Sequence, residues 1–128
     1  MTYFFSKTLD VDFEEAVRRT VESLKREGFG VLTDIDVKDT LKKKIGADFR
    51  RYRILGACNP RLAYEALQAE DKIGTMLPCN VVVEETTDGK IEVAAIDPVA
   101  SMMAIDNPRL GKTAGAVREK LQHVVNSL

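Results

Sequence analysis

The stretch Arg50-Arg51-Tyr52-Arg53-Ile54-Leu55-Gly56-Ala57-Cys58-Asn59-Pro60 leads, through a helical segment, into Ile73-Gly74-Thr75-Met76-Leu77-Pro78-Cys79-Asn80-Val81-Val82-Val83. Phe49 to Ala57 alternates as a strand, with Arg51, Arg53 and Leu55 on one face and Tyr52 and Ile54 on the other. Asn59-Pro60 then supplies the cap and first-turn residues that helix starts favour. Leu62, Ala63, Ala66 and Leu67 make the inner face of that helix, and Gly74 and Pro78 bracket a connecting loop. Asn80 to Glu85 is the next strand. Both cysteines of the chain fall in this region, each followed by an asparagine and each close to a proline. Each also marks a point where one periodicity gives way to another, so any chemical site is expected here first.

Working outward toward the N-terminus, Thr2 to Leu9 is short, aromatic and apolar, and reads as a strand. Asp12 opens a helix, with Glu15 three residues on completing a capping box. Phe13, Ala16, Val17, Thr20, Val21 and Leu24 recur at helical spacing. The other face is charged, and the four-residue offsets Glu14 to Arg18, Glu15 to Arg19 and Glu22 to Arg26 suit surface pairing. Gly28 is the stop. Phe29 to Ile35 alternates and is β-branched in part, which predicts a second strand, and Asp36 caps a short helix with Val37, Leu41 and Ile45 on its apolar side. Lys42, Lys43 and Lys44 occupy its last turn, where cations suit the helix dipole, and Gly46 ends it.

Toward the C-terminus, Asp88-Gly89 predicts a hairpin between Asn80–Glu85 and Lys90–Ile96. Asp97-Pro98 caps a turn of helix, and the uncharged run from Pro98 to Ile105 suits core, a lid or a subunit interface. Asn107-Pro108-Arg109-Leu110 repeats the tetrapeptide at Asn59 to Leu62, the same capping solution used twice. The last helix carries Leu110, Ala114, Val117, Leu121, Val124 and Leu128 in a narrow stripe suited to lying across a sheet or pairing with another helix. Gly111 and Gly115 are expected to let that helix approach another backbone closely. The order is strand, helix, four strands, helix, with two short helices inserted between the middle strands. Joined largely without long crossovers, these elements predict an α+β fold: an antiparallel sheet of about five strands with helices mainly on one face.

The chain has 128 residues, 45% hydrophobic and 30% charged, enough for one globular domain (1–128) with a real core and no need of disulfides or metal. A net charge of −1 argues against a dedicated nucleic-acid binder. No apolar run reaches the roughly 20 residues that span a bilayer. The start, Met1 to Lys7, lacks the order of a signal peptide. A cytoplasmic protein with two reduced thiols is the expectation.

The runs Arg53 to Pro60, Ile73-Gly74, Leu77 to Val83 and Ile96-Asp97-Pro98 resemble the family called domain of unknown function 302. The similarity extends over nearly the whole chain, and the two cysteine-asparagine segments are its most specific part. The resemblance implies a small α+β protein with a TATA-binding-protein-like arrangement of strand, helix, four strands and helix, and a dimer. It implies no activity or cofactor.

Three functional readings follow from the residues. A small-molecule pocket would lie among Cys58, Asn59, Cys79 and Asn80, with Arg53 as an anion partner and the helix start at Pro60 as an anion receiver. As metal ligands, Cys58 and Cys79 lack the close Cys-x-x-Cys spacing of structural zinc, so a closed site would need the cysteines of two chains. As a nucleophile, Cys58 precedes the cap of a helix whose dipole favours a thiolate, but no histidine is near in sequence. Against all three stands simple packing, the commonest fate of a cysteine. Asn59 has the matching alternative of being only a cap. Gly111-Lys112-Thr113 is no phosphate loop, because Asp106 stands where the motif needs glycine. His123 is expected at the surface.

Overall fold

The computed structural model describes residues 2–128. Strands β1 (Phe4–Leu9), β2 (Gly30–Asp36), β3 (Tyr52–Cys58), β4 (Cys79–Glu85) and β5 (Ile91–Ile96) form one antiparallel sheet in the order β1-β5-β4-β3-β2. The helices are α1 (Phe13–Arg26), α2 (Val37–Ile45), α3 (Pro60–Ala69), α4 (Pro98–Ser101) and α5 (Pro108–Asn126). Between α3 and β4, Asp71–Met76 is a 3₁₀ helix rather than the plain loop that Gly74 and Pro78 suggested.

The strands β2 to β5 follow one another as a meander, and β1 joins its far edge beside β5. Helix α1 must therefore carry the chain from one edge of the sheet to the other. Its 14 residues span about 21 Å, close to the ~19 Å across five strands. Asp12 Oδ1 accepts from the Glu15 N–H at 2.8 Å, and Gly28 turns the chain out with φ +85°. The expected capping box is half formed, because the Glu15 carboxylate is taken by Arg18 and Arg19 instead. These two guanidiniums hold the Glu15 carboxyl down to about 2.

The core side of the sheet follows from alternation. Leu9, Leu55, Ala57, Cys79, Val81, Val83, Val93 and Ala95 point to one face and pack against Phe13, Ala16, Leu24, Leu121 and Val124 of α1 and α5. The Ser23 hydroxyl donates to Val124 O at 2.9 Å and ties the two helices together. A second, smaller core of Ala66, Ile73, Met102, Leu110 and Ala114 joins α3, the 3₁₀ helix and the start of α5. Asn107, the cap of α5, also donates to Ala69 O at 2.7 Å and Glu70 Oε1 at 3.0 Å, fixing α5 to the end of α3. Asp97 caps α4 and pairs with Arg118 of α5 at 3.1 Å.

Strand β2 and the glycines of α5 depart from expectation, and helix α2 forms as expected but stays at the surface. Strand β2 shifts register between Val31 and Thr33, which leaves Leu32 bulged and exposed and interrupts the simple alternation expected there. Helix α2 buries no residue, and Ile45 on its apolar side is 72% exposed. Gly111 and Gly115 have nothing within 4 Å of where a Cβ would sit, so neither mediates a close approach. The close approach is at Gly56, where a Cβ would meet Thr33 Oγ1 at 2.1 Å and Pro78 Cγ at 2.8 Å.

These glycines make a paired prediction for urea unfolding. Gly56→Ala forces Thr33 or Pro78 to move and should lower stability by about 1–3 kcal/mol. Gly111→Ala, in a helix with open space beside it, should raise stability by up to about 1 kcal/mol.

Candidate functional site

Strands β3 and β4 pair so that Ala57 lies opposite Cys79, which sets Cys58 diagonally beside it at the same end of the sheet. The chain thus brings its two cysteine segments together. Both cysteines line one hollow of about 40 Å³, walled by Ala57, Leu62, Leu110 and Ala114 among others. The walls come from both cores: Ala57 and Cys79 from the larger, Ala66, Met102, Leu110 and Ala114 from the smaller. The hollow is the seam where the two meet.

Its chemistry is apolar. Among the described residues, the two cysteines are its only ionisable lining, and the remaining polar side chains are Asn59 and Thr113. Thr113 donates to Arg109 O within its own helix. Asn59 Oδ1 accepts from the Leu62 N–H at 3.2 Å, which makes it the cap of α3. Cys58, Asn59, Leu62 and Ala63 are half-buried, so this side of the wall reaches the surface.

The two thiols differ. Cys79 is buried, and that burial, reinforced by Cys58 nearby, pushes its thiol up to about 11. It is protonated at neutral pH, which suits packing or contact with an apolar group and opposes nucleophilic attack. Cys58 is half-buried. Among the described residues no general base lines the hollow with it, and His123, exposed on α5, pairs with Glu27 at 3.1 Å. Among the described residues no group of three or more His, Cys, Asp or Glu is placed to hold a metal ion.

Two residues grouped with the cysteines from sequence lie elsewhere. Arg53 is five residues back along β3, about 17 Å from Cys58 at strand spacing. Its guanidinium is forked onto Asp34 (Nε to Oδ1 2.8 Å, Nη2 to Oδ2 closer), with Glu14 at 3.9 Å. That pairing holds the Asp34 carboxyl below its ordinary value, and it answers the charge at mid-strand without an outside anion. Asn80 follows Cys79 on a strand and so points to the opposite face, opposite Gly56, where it is exposed.

Several residues of the hollow carry no mark of it in the sequence. Phe29, Leu110, Thr113, Ala114 and Val117 reach it from the start of β2 and from α5. Only the apolar stripe of α5 signalled some of them, and it could not say what the stripe would face.

The raised Cys79 thiol makes a prediction for alkaline pH. Its folded value lies above its ordinary value of 9.0, so the fold favours the protonated form. The stabilisation is complete below pH 9 and is lost as pH rises toward about 11. Urea unfolding across that window should show a loss on the order of 2 kcal/mol that Cys79→Ala removes, alongside slow alkylation of Cys79 at pH 8 in the native protein.

Comparison with known proteins agrees with the architecture. The solved structure of an uncharacterised conserved protein, DUF302, from Bacillus stearothermophilus superposes with a TM-score of 0.91 at 29% identity, covering 98% of each chain. A search of curated proteins finds no match. The family model described as "Domain of unknown function DUF302" matches residues 5–128, and the chain belongs to that family.

Proposed function

We propose that this chain is a cytoplasmic, homodimeric small-ligand-binding protein whose site is the hollow between Cys58 and Cys79. The observation that carries the reading is the meeting of both cysteine segments at one apolar hollow, left open where two cores join. An unfilled space of about 40 Å³ costs on the order of 1 kcal/mol in lost packing. Two or three atoms of an apolar or soft group entering it would recover that loss. Catalysis by Cys58 has less support, since no base lines the hollow with it.

The second copy is expected on the open face of the sheet. Register aligns Ser6, Ala94, Val82, Ile54 and Ile35 in one row across all five strands, on the face opposite the core. Phe4 and Ile96 pair in the next row. This is an apolar band flanked by Glu84, Glu92 and Asn80, a surface of the mixed kind that subunits bury. The other candidate, the stripe on α5, is already used inside, since Leu110, Leu121 and Val124 are buried in the chain's own cores.

Xenon under pressure tests the hollow, read by crystallography or by methyl shifts of Leu62 and Leu110. It should bind at that point, and Ala114→Met should exclude it; no occupancy in the unsubstituted protein would overturn the reading. Sedimentation should show a dimer that Val82→Lys converts to folded monomer. A monomer at every concentration, or a dimer indifferent to Val82→Lys and Ile54→Lys alike, would remove the sheet-face assembly.

A further inference from the structure

Beside the hollow lies a second depression, of about 600 Å³, and the two share Asn59 and Leu62 as a common wall. Its character is opposite. Arg26 from the end of α1, Arg61 from the first turn of α3 and Lys120 from α5 converge on it. Among the described residues none of these three cations has a carboxylate within ion-pair distance, although most other arginines of the chain do. Among the described residues one carboxylate also lines the depression, Glu27, which faces His123 at 3.1 Å, so the lining sets three cations against one anion. Lys120 is half-buried, its stem lying along α5 with the ammonium able to reach the depression.

Three cations drawn from three elements to one concavity repel one another until an anion sits among them. The start of α3 adds little of its own. Pro60 has no N–H, Asn59 takes the Leu62 N–H, and the Ala63 N–H bonds to Asn59 O, so the Arg61 N–H is the donor left free. The cations, not the helix end, make this an anion site. Its position makes it half of something larger: Asn59 and Leu62 line both the depression and the hollow.

We propose that the depression and the hollow form one bipartite site for a small oxyanion, phosphate or carboxylate, that carries a short apolar substituent. Arg26, Arg61 and Lys120 hold the oxygens, and the substituent passes Leu62 to lie against Cys58, Cys79 and Ala114. The size of the hollow limits that substituent to about two or three heavy atoms. This inference rests on the reading of the hollow as a binding site and names the class of ligand it takes. Guanidinium forks favour phosphate and carboxylate alike, so the two sources share the recognition chemistry.

The test is a titration of the ¹⁵N-labelled full chain with propyl phosphate, butyrate and inorganic phosphate. Propyl phosphate or butyrate should shift the amides of Arg26 to Gly28, Arg61, Leu62 and Lys120 together with those of Ala57 and Ala114. Inorganic phosphate should shift only the first group and bind at least about fivefold more weakly than propyl phosphate, the worth of burying one or two methylenes. Lys120→Met, which keeps the apolar stem, and Arg61→Gln, at an exposed position, should each weaken the substituted anions by roughly tenfold. Ala114→Met should reduce propyl phosphate to the affinity of inorganic phosphate. Which of propyl phosphate and butyrate binds more tightly assigns the oxyanion. Equal binding of inorganic and propyl phosphate, or indifference to Ala114→Met, would overturn the bipartite site. If xenon enters the hollow but none of the three anions shifts the cationic group, the inference fails while the hollow keeps its reading.

Discussion

At position 56 the protein has no room for a side chain. Thr33 of β2 and Pro78 just before β4 both close over Gly56, nearer to where a Cβ would stand than any real Cβ tolerates. Because β3 is hydrogen-bonded on both sides, this contact seats the β2 bulge on one flank and the entry to β4 on the other. Register follows from it: with Pro78 seated over Gly56, Ala57 comes opposite Cys79, and a slip by one residue would turn Val81 and Val83 out of the core. The meeting of the two cysteine segments is thus a consequence of strand pairing, not of any bond between them.

The hollow has an equally mechanical origin. The larger core is laid down by the alternating faces of five strands under α1 and α5, and the smaller by α3, the 3₁₀ helix and the first turns of α5. Helix α5 belongs to both, entering the smaller core through Leu110 and Ala114 and the larger through Leu121 and Val124. Its start is fixed by Asn107 on the end of α3, and its middle by Arg118 on Asp97. A rigid helix anchored at two places cannot settle fully onto a third surface between them. Interiors otherwise pack densely, so a gap persists at the seam. The cationic depression arises from the same crossing, where the end of α1, the start of α3 and α5 converge.

Much of this was legible in the chain. The caps at Asp12, Asp36, Asn59, Asp97 and Asn107 all accept from their helices' first N–H groups, because capping is a local matter of short polar side chains. Strand number, antiparallel sense and the one-sided placement of helices followed from alternation and short connections. What stayed hidden depended on contacts far apart in sequence. The role of Gly56 needs Thr33 and Pro78, and the fork between Arg53 and Asp34 needs the register of β2 against β3. Alternation puts Arg53 on the same face as Leu55 but cannot say that Asp34 meets it there. Adjacency in sequence groups Asn80 with Cys79, although neighbours on a strand face opposite ways. Arg26, Arg61 and Lys120 share no sequence pattern at all; only the packing of three helices brings them together.

The central claim is that Cys58 and Cys79 share one packing environment at the seam of the two cores. A double-mutant cycle on Cys58→Ala and Cys79→Ala, read by urea unfolding at neutral pH, measures it most directly. Side chains that share a cavity are coupled, so the two losses should depart from additivity by at least about 0.5 kcal/mol. Losses that add to within about 0.3 kcal/mol would mean that the two thiols sit in separate surroundings, and would contradict the account.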